Sequence, residues 1–455
     1  MKAAGFQRVE LERMTGGAVV RAPRMRGIIA CMRIFIIAGL AGLSCWGQST
    51  SDPVALGWMA GSPPPADKII RLADGSAARF PQTRWAFSNQ RVLSPTRVVA
   101  RGNHTECVLP RAQRTDIDGV KFGATTWAES LAANYTDGIL ILHRGRIVYE
   151  KYFGALKPEG QHIAFSVTKS FVATIAASMI WEGLLDEKAT VARYVPELKS
   201  SGLGDATIRE VLDMTTGLEY SEHYDDPRSP FLDYSRAAGY APMPPGFTGA
   251  DNIYGYLKTL TKEYPHGEKF DYKTVNTEAL AWVMVRATGK SISEILRERL
   301  WSRLGMEQDG YFRVDSIGTE SAGGGLNLTL RDMARFGEMI RLGGRFNGQQ
   351  IVPSPVVEDI RRGGDKEKFA KAGYKTLPGW SYRDMWWVSH NSHGAFTARG
   401  VYGQCIYIDP KAEMVIVRFA SHPMAANVNL DPTSLPAYEA VAELLMGSKW
   451  KAPVP

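Results

Sequence analysis

A serine and a lysine three residues apart, Ser166 and Lys169, form a Ser-x-x-Lys tetrad directly before an apolar run at 171–180. If a helix begins here, these two residues share one face, so the Lys169 amine comes within reach of the Ser166 hydroxyl. A serine hydroxyl becomes a good nucleophile when a base stands beside it, and burial lowers the pKa of a lysine toward the neutral form that accepts a proton. The tetrad therefore predicts an acylation site, with Ser166 as nucleophile and Lys169 as base. The alternatives are a helix N-cap and a surface lysine.

The tetrad alone is a loose pattern, because it recurs in the polar C-terminal tail at 448–451. Three further segments strengthen it. Tyr272 lies in the segment 270–277, which runs into an apolar stretch predicted to be helical, and Ser-Ala-Gly-Gly-Gly-Leu at 321–326 precedes another helical segment. The segment 207–218 opens with capping-box spacing and closes with a glycine, which predicts a short helix.

These segments resemble, in order, the motifs of the serine β-lactamase and penicillin-binding-protein family, in its class C and esterase branch. Within that family the chain most resembles the 6-aminohexanoate-dimer hydrolases, which cleave a linear amide, through residues 220–227, 271–277 and 398–404. The resemblance implies an acyl-enzyme on Ser166 and no cofactor or metal. It also implies that Tyr272 relays the proton, either accepting it from the serine or donating it to the leaving group.

The third family motif, Lys-Thr-Gly, has no intact copy. Its predicted equivalent is Ala398-Arg399-Gly400, with 393–395 as an alternative register. In the first register the Val401 N–H joins that of Ser166 in the oxyanion hole, and Arg399 and Gly400 border the substrate. Because the lysine that helps to hold a β-lactam carboxylate is replaced by Ala398, the departure favours linear amides or esters.

Three more side chains are predicted to bind the substrate. Tyr224 lies in a loop that resembles the one from which the dimer hydrolases direct a tyrosine at the scissile amide; the alternative is an exposed loop tyrosine. Asn276 is a candidate to replace the asparagine of the second motif, where Thr274 now stands. Trp387, in a tryptophan-rich segment before the third motif, is a candidate for the cleft wall, since pockets are commonly lined by aromatic side chains.

These motifs leave three functions open: a serine hydrolase acting on small amides or esters, a class C-like β-lactamase or D-Ala-D-Ala-type peptidase, and a penicillin-binding or sensor module that acylates without turnover. The sequence contains no Gly-x-Ser-x-Gly, His-Glu-x-x-His or Cys-x-x-Cys motif, so an α/β-hydrolase or zinc enzyme has no support. Nucleic-acid binding is not expected, because seven basic and two acidic residues within 1–47 account for most of the formal charge of +7.

The same basic leader resembles a secretory signal, with an apolar run at 34–43 after Met32 and small residues before a cut near Gly47. This predicts a periplasmic or secreted protein. The run is too short to span a membrane comfortably, so the mature protein is expected to have no stable span. Lipid attachment at Cys45 is a less favoured alternative, because the lipoprotein box is poor. The oligomeric state, the natural acyl and leaving groups, and any pairing of Cys107 with Cys405 stay open.

The predicted organisation is a leader at 1–47, an N-terminal extension at 48–120, a hydrolase domain at 121–449 with a helical lobe at roughly 190–380, and a tail at 450–455. Strand-forming runs near both ends of the domain, with capped helices between them, predict an antiparallel sheet assembled from distant parts of the chain. The expected fold class is α/β (α+β), with the sheet flanked by helices and a helical lobe inserted.

Overall fold

The computed structural model describes residues 50–224 and 226–447. The predicted leader, its cleavage site and the tail at 450–455 lie outside these residues. Within the described part of the chain, no helix is long and apolar enough to cross a membrane. Cys107 and Cys405 are both free thiols.

The strands form one large antiparallel sheet and three small ones. In chain order they are β1 Thr96–Val99, β2 Lys121–Phe122, β3 Thr125–Thr126, β4 Thr136–His143, β5 Arg146–Tyr152, β6 His162–Ile163, β7 Gly310–Arg313, β8 Leu326–Leu328, β9 Arg345–Phe346, β10 Gln349–Gln350, β11 Ser381–Arg383, β12 Trp386–Val388, β13 Phe396–Gly400, β14 Gln404–Asp409 and β15 Met414–Ala420. The large sheet has seven strands in the order β11-β12-β13-β14-β15-β4-β5.

The large sheet joins the two ends of the hydrolase domain. Strand β15 pairs with β4 in antiparallel register, with Val417 opposite Leu140. Both strands are apolar and fully buried along most of their length, which is expected for strands covered by helices on both faces. The predicted antiparallel sheet built from distant segments is therefore confirmed.

The helices surround this sheet. They are α1 Thr83–Ala86, α2 Gln90–Leu93, α3 Trp127–Ala133, α4 Val167–Trp181, α5 Val191–Tyr194, α6 Ile208–Leu212, α7 Pro230–Ala237, α8 Ile253–Thr259, α9 Thr274–Thr288, α10 Ile292–Leu296, α11 Ser302–Leu304, α12 Leu330–Arg341, α13 Ser354–Arg362, α14 Lys366–Ala370 and α15 Asp431–Leu445, with a π-helical turn at Arg297–Trp301. Short 3₁₀ turns lie at Ala66–Lys68, Ser76–Ala78, Asp116–Gly119, Pro196–Leu198, Val401–Gly403 and Asn427–Asn429.

Two apolar layers sandwich the large sheet. Helices α4 and α12 pack in the larger core cluster with side chains such as Leu140 and Val417. Helices α3 and α15 belong to the second cluster, on the side of Ile139 and Ile416. Helix α4 is apolar on nearly all sides and is buried along almost its whole length, as expected for a helix in the centre of a protein.

The N-terminal extension packs on the domain near the start of α4. Strand β1 pairs with β7 in a small sheet that also contains β8 and β6. Arg84 forms an ion pair with Asp137 at 3.1 Å, and both side chains are almost completely buried. The segment predicted as a helical lobe, 190–380, contains α5 to α14 and also the strands β7 to β10; its domain boundaries stay a prediction.

Candidate active site

A tight turn presents Ser166 at the start of α4. Phe165, the residue before it, has a φ of 42°, a conformation that is costly for a residue with a bulky side chain. The Phe165 ring packs edge-on against Phe87, at 4.9 Å between centroids. Ser166 occupies the N-cap position, but its side chain makes no capping hydrogen bond. The simple N-cap interpretation is therefore not supported, and the hydroxyl is free for another partner.

That partner is Lys169, whose Nζ lies 2.9 Å from the Ser166 Oγ. Lys169 is only 1% exposed. Burial lowers its pKa from 10.5 to about 8, because the charged ammonium loses its water, while the negative charges of Glu222 and Glu278 partly oppose the shift. A substantial fraction of this amine is therefore neutral near physiological pH and can accept the serine proton.

A glycine loop holds the lysine in place. The Lys169 ammonium also donates to the Gly323 carbonyl, at 2.5 Å. Glu278, on α9, accepts hydrogen bonds from the Ala322 and Gly323 N–H groups, both at 3.0 Å, and so fixes this carbonyl toward Lys169. A side chain at Gly323 would collide with Thr274, since an added Cβ would lie 2.4 Å from its methyl group. The glycine run at 323–325 is thus part of the site.

Tyr272 also lies beside Ser166 and Lys169. Its ring is 5.2 Å from the Lys169 Nζ and stacks on Trp387 at 5.6 Å between centroids. Burial, and next the negative charge of Glu222, raise the pKa of Tyr272 well above its usual value, although a hydrogen bond with Ser166 works in the opposite direction. The hydroxyl consequently keeps its proton, which favours a role as proton donor over a role as phenolate base.

Strand β13 brings Val401 to the nucleophile. Its pairing with β12 ends at Thr397, so 398–400 pair only with β14. Gly400 lies against the nucleophile turn, because an added Cβ would be 3.1 Å from the Ser166 nitrogen. Val401 begins a 3₁₀ turn and Ser166 precedes a helix, and N–H groups at such positions have no partner within their element. The predicted oxyanion-hole pair is therefore brought together.

Two cavities open on Ser166. The Arg313 cavity, of about 380 Å³, is lined by Ser166, Glu222, Tyr224, Tyr240, Arg313 and Val401, among others. The Arg399 cavity, of about 360 Å³, is lined by Ser166, Tyr224, Tyr272, Trp387, Arg399 and Val401, among others. Because Ser166, Tyr224 and Val401 border both, the nucleophile lies between two spaces that can hold the two halves of a substrate.

Tyr224 is half-buried at this junction, and its hydroxyl donates to Glu222 at 2.9 Å. The other Glu222 oxygen accepts the N–H of Thr274 at the start of α9. Burial, and next Glu222, raise the pKa of Tyr224 well above its usual value, so this hydroxyl also stays protonated. The structure thus brings the predicted tyrosine to the cleft, with a carboxylate that orients it.

The structure does not bring Asn276 to the cleft. Asn276 lies on the buried side of α9, where its amide oxygen accepts from the Thr216 hydroxyl at 2.7 Å. Thr274 lines the Arg313 cavity instead. Two residues correspond to roughly half a turn of an α-helix, so residues 274 and 276 point to opposite sides, one to the cleft and the other to the core.

The third-motif strand divides its residues between core and cleft. Ala398 is fully buried in the larger core cluster. Arg399 reaches the Arg399 cavity, where its guanidinium lies 5.5 Å from the Trp387 ring and forms an ion pair with Asp431. Ala398 stands where the family has a lysine, and the residue next to it, Arg399, is a cation. That cation already has a carboxylate partner, Asp431.

Comparison with known proteins agrees with this geometry. The profile of the Beta-lactamase family matches residues 128–432. The chain belongs to the β-lactamase family of serine hydrolases. It is 33% identical over 344 residues to the 6-aminohexanoate-dimer hydrolase of Paenarthrobacter ureafaciens, across 75% of this chain and 86% of that protein.

Solved structures give the same result. A putative 6-aminohexanoate-dimer hydrolase from Bacillus anthracis superposes with a TM-score of 0.76 and 32% identity, over 85% of this chain and 100% of that one. An octameric penicillin-binding protein homologue from Pyrococcus abyssi shares the fold alone, with a TM-score of 0.54, 20% identity, and coverage of 71% and 76% of the two chains. The family and fold class inferred from the motifs are confirmed.

Several residues of the site were not identified from the sequence. Glu222 lies in a segment that was used for the family resemblance and for Tyr224, with no role predicted for its carboxylate, and Glu278 lies in a helix that was interpreted as apolar. Arg313 has no motif around it. These carboxylates and Lys169 lie on separate elements and come close to each other only in the folded protein. No spacing in the sequence therefore reveals that they interact.

Proposed function

We propose that this protein hydrolyses linear amide or ester bonds through an acyl-enzyme on Ser166. The observation that carries the proposal is the 2.9 Å contact between the Ser166 Oγ and a buried lysine amine whose pKa is lowered to about 8. Relatedness to a 6-aminohexanoate-dimer hydrolase supports a linear amide as one substrate type.

In the acylation step, neutral Lys169 accepts the hydroxyl proton of Ser166 as the oxygen attacks the substrate carbonyl carbon. The negative charge that develops on the carbonyl oxygen is stabilised by the N–H groups of Ser166 and Val401. The carbonyl double bond then re-forms and the bond to the leaving group breaks, which leaves an ester on Ser166.

The leaving group must take up a proton as it departs. Tyr272 lines the Arg399 cavity and, with its raised pKa, holds a proton that it can donate. We therefore assign the leaving group to the Arg399 cavity and the acyl group to the Arg313 cavity. Lys169 restores the proton of Tyr272, and a water molecule then hydrolyses the ester with Lys169 again acting as base.

β-Lactams are expected to be poor substrates. A β-lactam carboxylate needs a cation on the third-motif strand, and Arg399 is already paired with Asp431. Loss of a charge-assisted contact costs about 1.5–3 kcal/mol, or roughly ten- to a hundredfold in rate when the contact forms in the transition state. Open-chain esters and amides that lack this carboxylate do not make the contact, so its loss does not lower their rate.

The test uses the purified mature enzyme with short-chain p-nitrophenyl esters, a linear ω-amino-acid dimer and nitrocefin. We expect sustained ester or amide turnover, and Ser166→Ala should abolish both turnover and fluorophosphonate labelling while it leaves the fold intact. Release of one equivalent of product without turnover would indicate a sensor module. A higher kcat/KM for nitrocefin than for every ester and amide would indicate a β-lactamase.

Export to the periplasm or the medium is proposed from the leader alone. Mass spectrometry of the secreted or periplasmic protein should find an N-terminus close to Gln48, or a lipid on Cys45 if the poor lipoprotein box is used. A cytoplasmic product that retains Met32 would contradict this proposal.

A further inference from the structure

Arg313 is a buried arginine in the wall of the Arg313 cavity. It ends strand β7 and is 4% exposed. Its Nη2 donates to the Gly239 carbonyl, and its guanidinium lies over the Tyr240 ring at 4.0 Å. Its Nε is buried and has no hydrogen-bond partner among the described residues. The side chain is thus firmly held while part of its hydrogen-bonding capacity is unused.

The charge of Arg313 is not balanced by a carboxylate. Across residues 50–224 and 226–447, Arg313 forms no ion pair, whereas buried Arg335 lies 2.9 Å from Asp332 and Arg399 is paired with Asp431. Burial of a charge without a partner is expensive, so such a group normally faces an anion.

Arg418 is a second buried arginine that forms no ion pair within the described part of the chain, and it shows why the cavity matters. Arg418 donates from Nε to the Gly403 carbonyl and from Nη1 to the Ser434 hydroxyl, so the protein itself satisfies it. Arg418 borders a space of only about 20 Å³, whereas Arg313 borders about 380 Å³ that extends to Ser166.

Among the described residues that line the cavity, two are carboxylates, Glu222 and Asp226, and both already accept hydrogen bonds. Glu222 accepts from the Tyr224 hydroxyl and the Thr274 N–H. Asp226 accepts from the backbone and side chain of Arg228 on its own turn. Arg313 therefore remains the group in this cavity whose charge and donors call for an external partner.

We propose that Arg313 binds a carboxylate carried by the acyl part of the substrate. The substrates would then be amides or esters of linear acids that bear a second carboxylate at the far end of the chain. This inference rests on the proposed function, because it takes Ser166 as the nucleophile and the Arg313 cavity as the acyl site. A guanidinium recognises a carboxylate through two parallel N–H groups, which gives both affinity and orientation.

The test compares substrates of matched chain length. The p-nitrophenyl half-esters of adipic, pimelic and suberic acids carry the carboxylate, and the hexanoate, heptanoate and octanoate esters are their neutral counterparts. The 6-aminohexanoate ester carries a terminal ammonium instead. Each is assayed with the wild type, Arg313→Met and Arg313→Lys, after subtraction of the uncatalysed rate. Arg91→Met is the matched control, because Arg91 is exposed and also stacks on a tyrosine, at 4.3 Å from the Tyr311 ring.

We expect the wild type to prefer at least one half-ester over its neutral counterpart. Arg313→Met should lower kcat/KM for that half-ester by about ten- to a hundredfold, which is the loss expected for one charge-assisted contact. Its kcat/KM for the neutral ester should fall by a much smaller factor, Arg313→Lys should lie between the wild type and Arg313→Met on the half-ester, and Arg91→Met should match the wild type.

Equal losses on charged and neutral esters in Arg313→Met would overturn the inference and leave Arg313 with a structural role. A wild-type preference for the neutral or the ammonium-bearing ester would also overturn it. In either case, the proposed function still stands if the wild type hydrolyses the neutral esters and Ser166→Ala does not. If the wild type does not hydrolyse the neutral esters by way of Ser166, the proposed function itself is wrong.

A measurement on the wild type covers the case in which Arg313→Met fails to fold. Adipic acid monoamide and hexanamide, which have the same chain length, are compared as inhibitors of neutral-ester hydrolysis. The monoamide should inhibit at about ten- to a hundredfold lower concentration. Equal inhibition by the two amides would overturn the inference.

Discussion

The pH dependence of Ser166 acylation follows directly from the burial of Lys169. A pKa lowered from 10.5 to about 8 corresponds to about 3 kcal/mol of disfavoured protonation. At pH 7 it raises the neutral fraction of the amine from about one in three thousand to about one in ten. We expect the rate of acylation to increase about tenfold per pH unit at low pH and to level off above a midpoint near 8.

Glu222→Gln tests the cause of that midpoint. The negative charge of Glu222 raises the pKa of Lys169, so its removal should lower that pKa further and move the midpoint below 8. Glutamine keeps one oxygen, which can still accept the Thr274 N–H, and its NH2 group can donate to the Tyr224 hydroxyl oxygen, so both contacts of the loop have a counterpart. The control is Glu219→Gln, which removes an exposed carboxylate hydrogen-bonded to Thr261 and should leave the midpoint unchanged.

The assay is the rate of covalent labelling of Ser166 by a fluorophosphonate, measured from about pH 6 to pH 10 and read by mass spectrometry. In labelling, the serine oxygen displaces fluoride, which leaves without a proton, so the rate reports the attack of the serine without leaving-group protonation or deacylation. A midpoint near the ordinary lysine value, a flat profile, or an upward shift in Glu222→Gln would refute the assignment of a buried neutral Lys169 as the base.

Three other changes probe separate parts of the site and its support. Tyr272→Phe should lower kcat/KM for a linear amide by about a hundred- to ten-thousandfold, and for a p-nitrophenyl ester far less, because p-nitrophenolate leaves without a proton. Gly400→Ala should reduce Ser166 labelling and cost about 1–3 kcal/mol in the free energy of unfolding, since its Cβ would lie 3.1 Å from the Ser166 nitrogen. Asp137→Ala should lower the free energy of unfolding by about 3–5 kcal/mol, measured by urea denaturation, because Arg84 would stay buried without its carboxylate.

Matched variants separate these effects from general damage. Gly119→Ala adds a methyl group where nothing lies within 4 Å, so it should leave labelling intact. Asp233→Ala removes the half-exposed partner of Arg236 and should cost at most about 1 kcal/mol. Equal losses in a variant and its control would contradict the corresponding explanation, as would equal ester and amide losses in Tyr272→Phe.

Local patterns predicted much of this protein correctly. The Ser166 and Lys169 contact follows from helical spacing, and the capping box at Thr207 forms as expected, with its hydroxyl accepting from the Glu210 N–H. The antiparallel sheet follows from apolar runs at the two ends of the domain. Each of these depends on neighbours in sequence or on a pattern repeated over a whole element.

Other features depend on contacts between distant residues, and the sequence did not reveal them. Asn276 was placed in the cleft by analogy of position, but the helix that carries it turns its side chain toward Thr216. The two roles predicted for Tyr272, as proton acceptor or proton donor, could not be separated from the sequence, because the burial and the Glu222 charge that raise its pKa come from distant residues. Residues of the N-terminal extension, such as Leu72 and Phe87, form part of the wall of the Arg313 cavity. No pattern in the sequence indicated this contribution.

The pairing of β15 with β4 has a consequence for how activity arises during synthesis. Because these strands come from opposite ends of the domain, a long chain segment must be ordered before they meet, and such closure is slow in folding. Val401 follows strand β13, late in the chain, whereas Ser166 precedes helix α4, in the N-terminal half of the domain. We therefore expect a nascent or incompletely folded chain to carry Ser166 without the Val401 N–H beside it, and activity to appear only after the distant strands have paired.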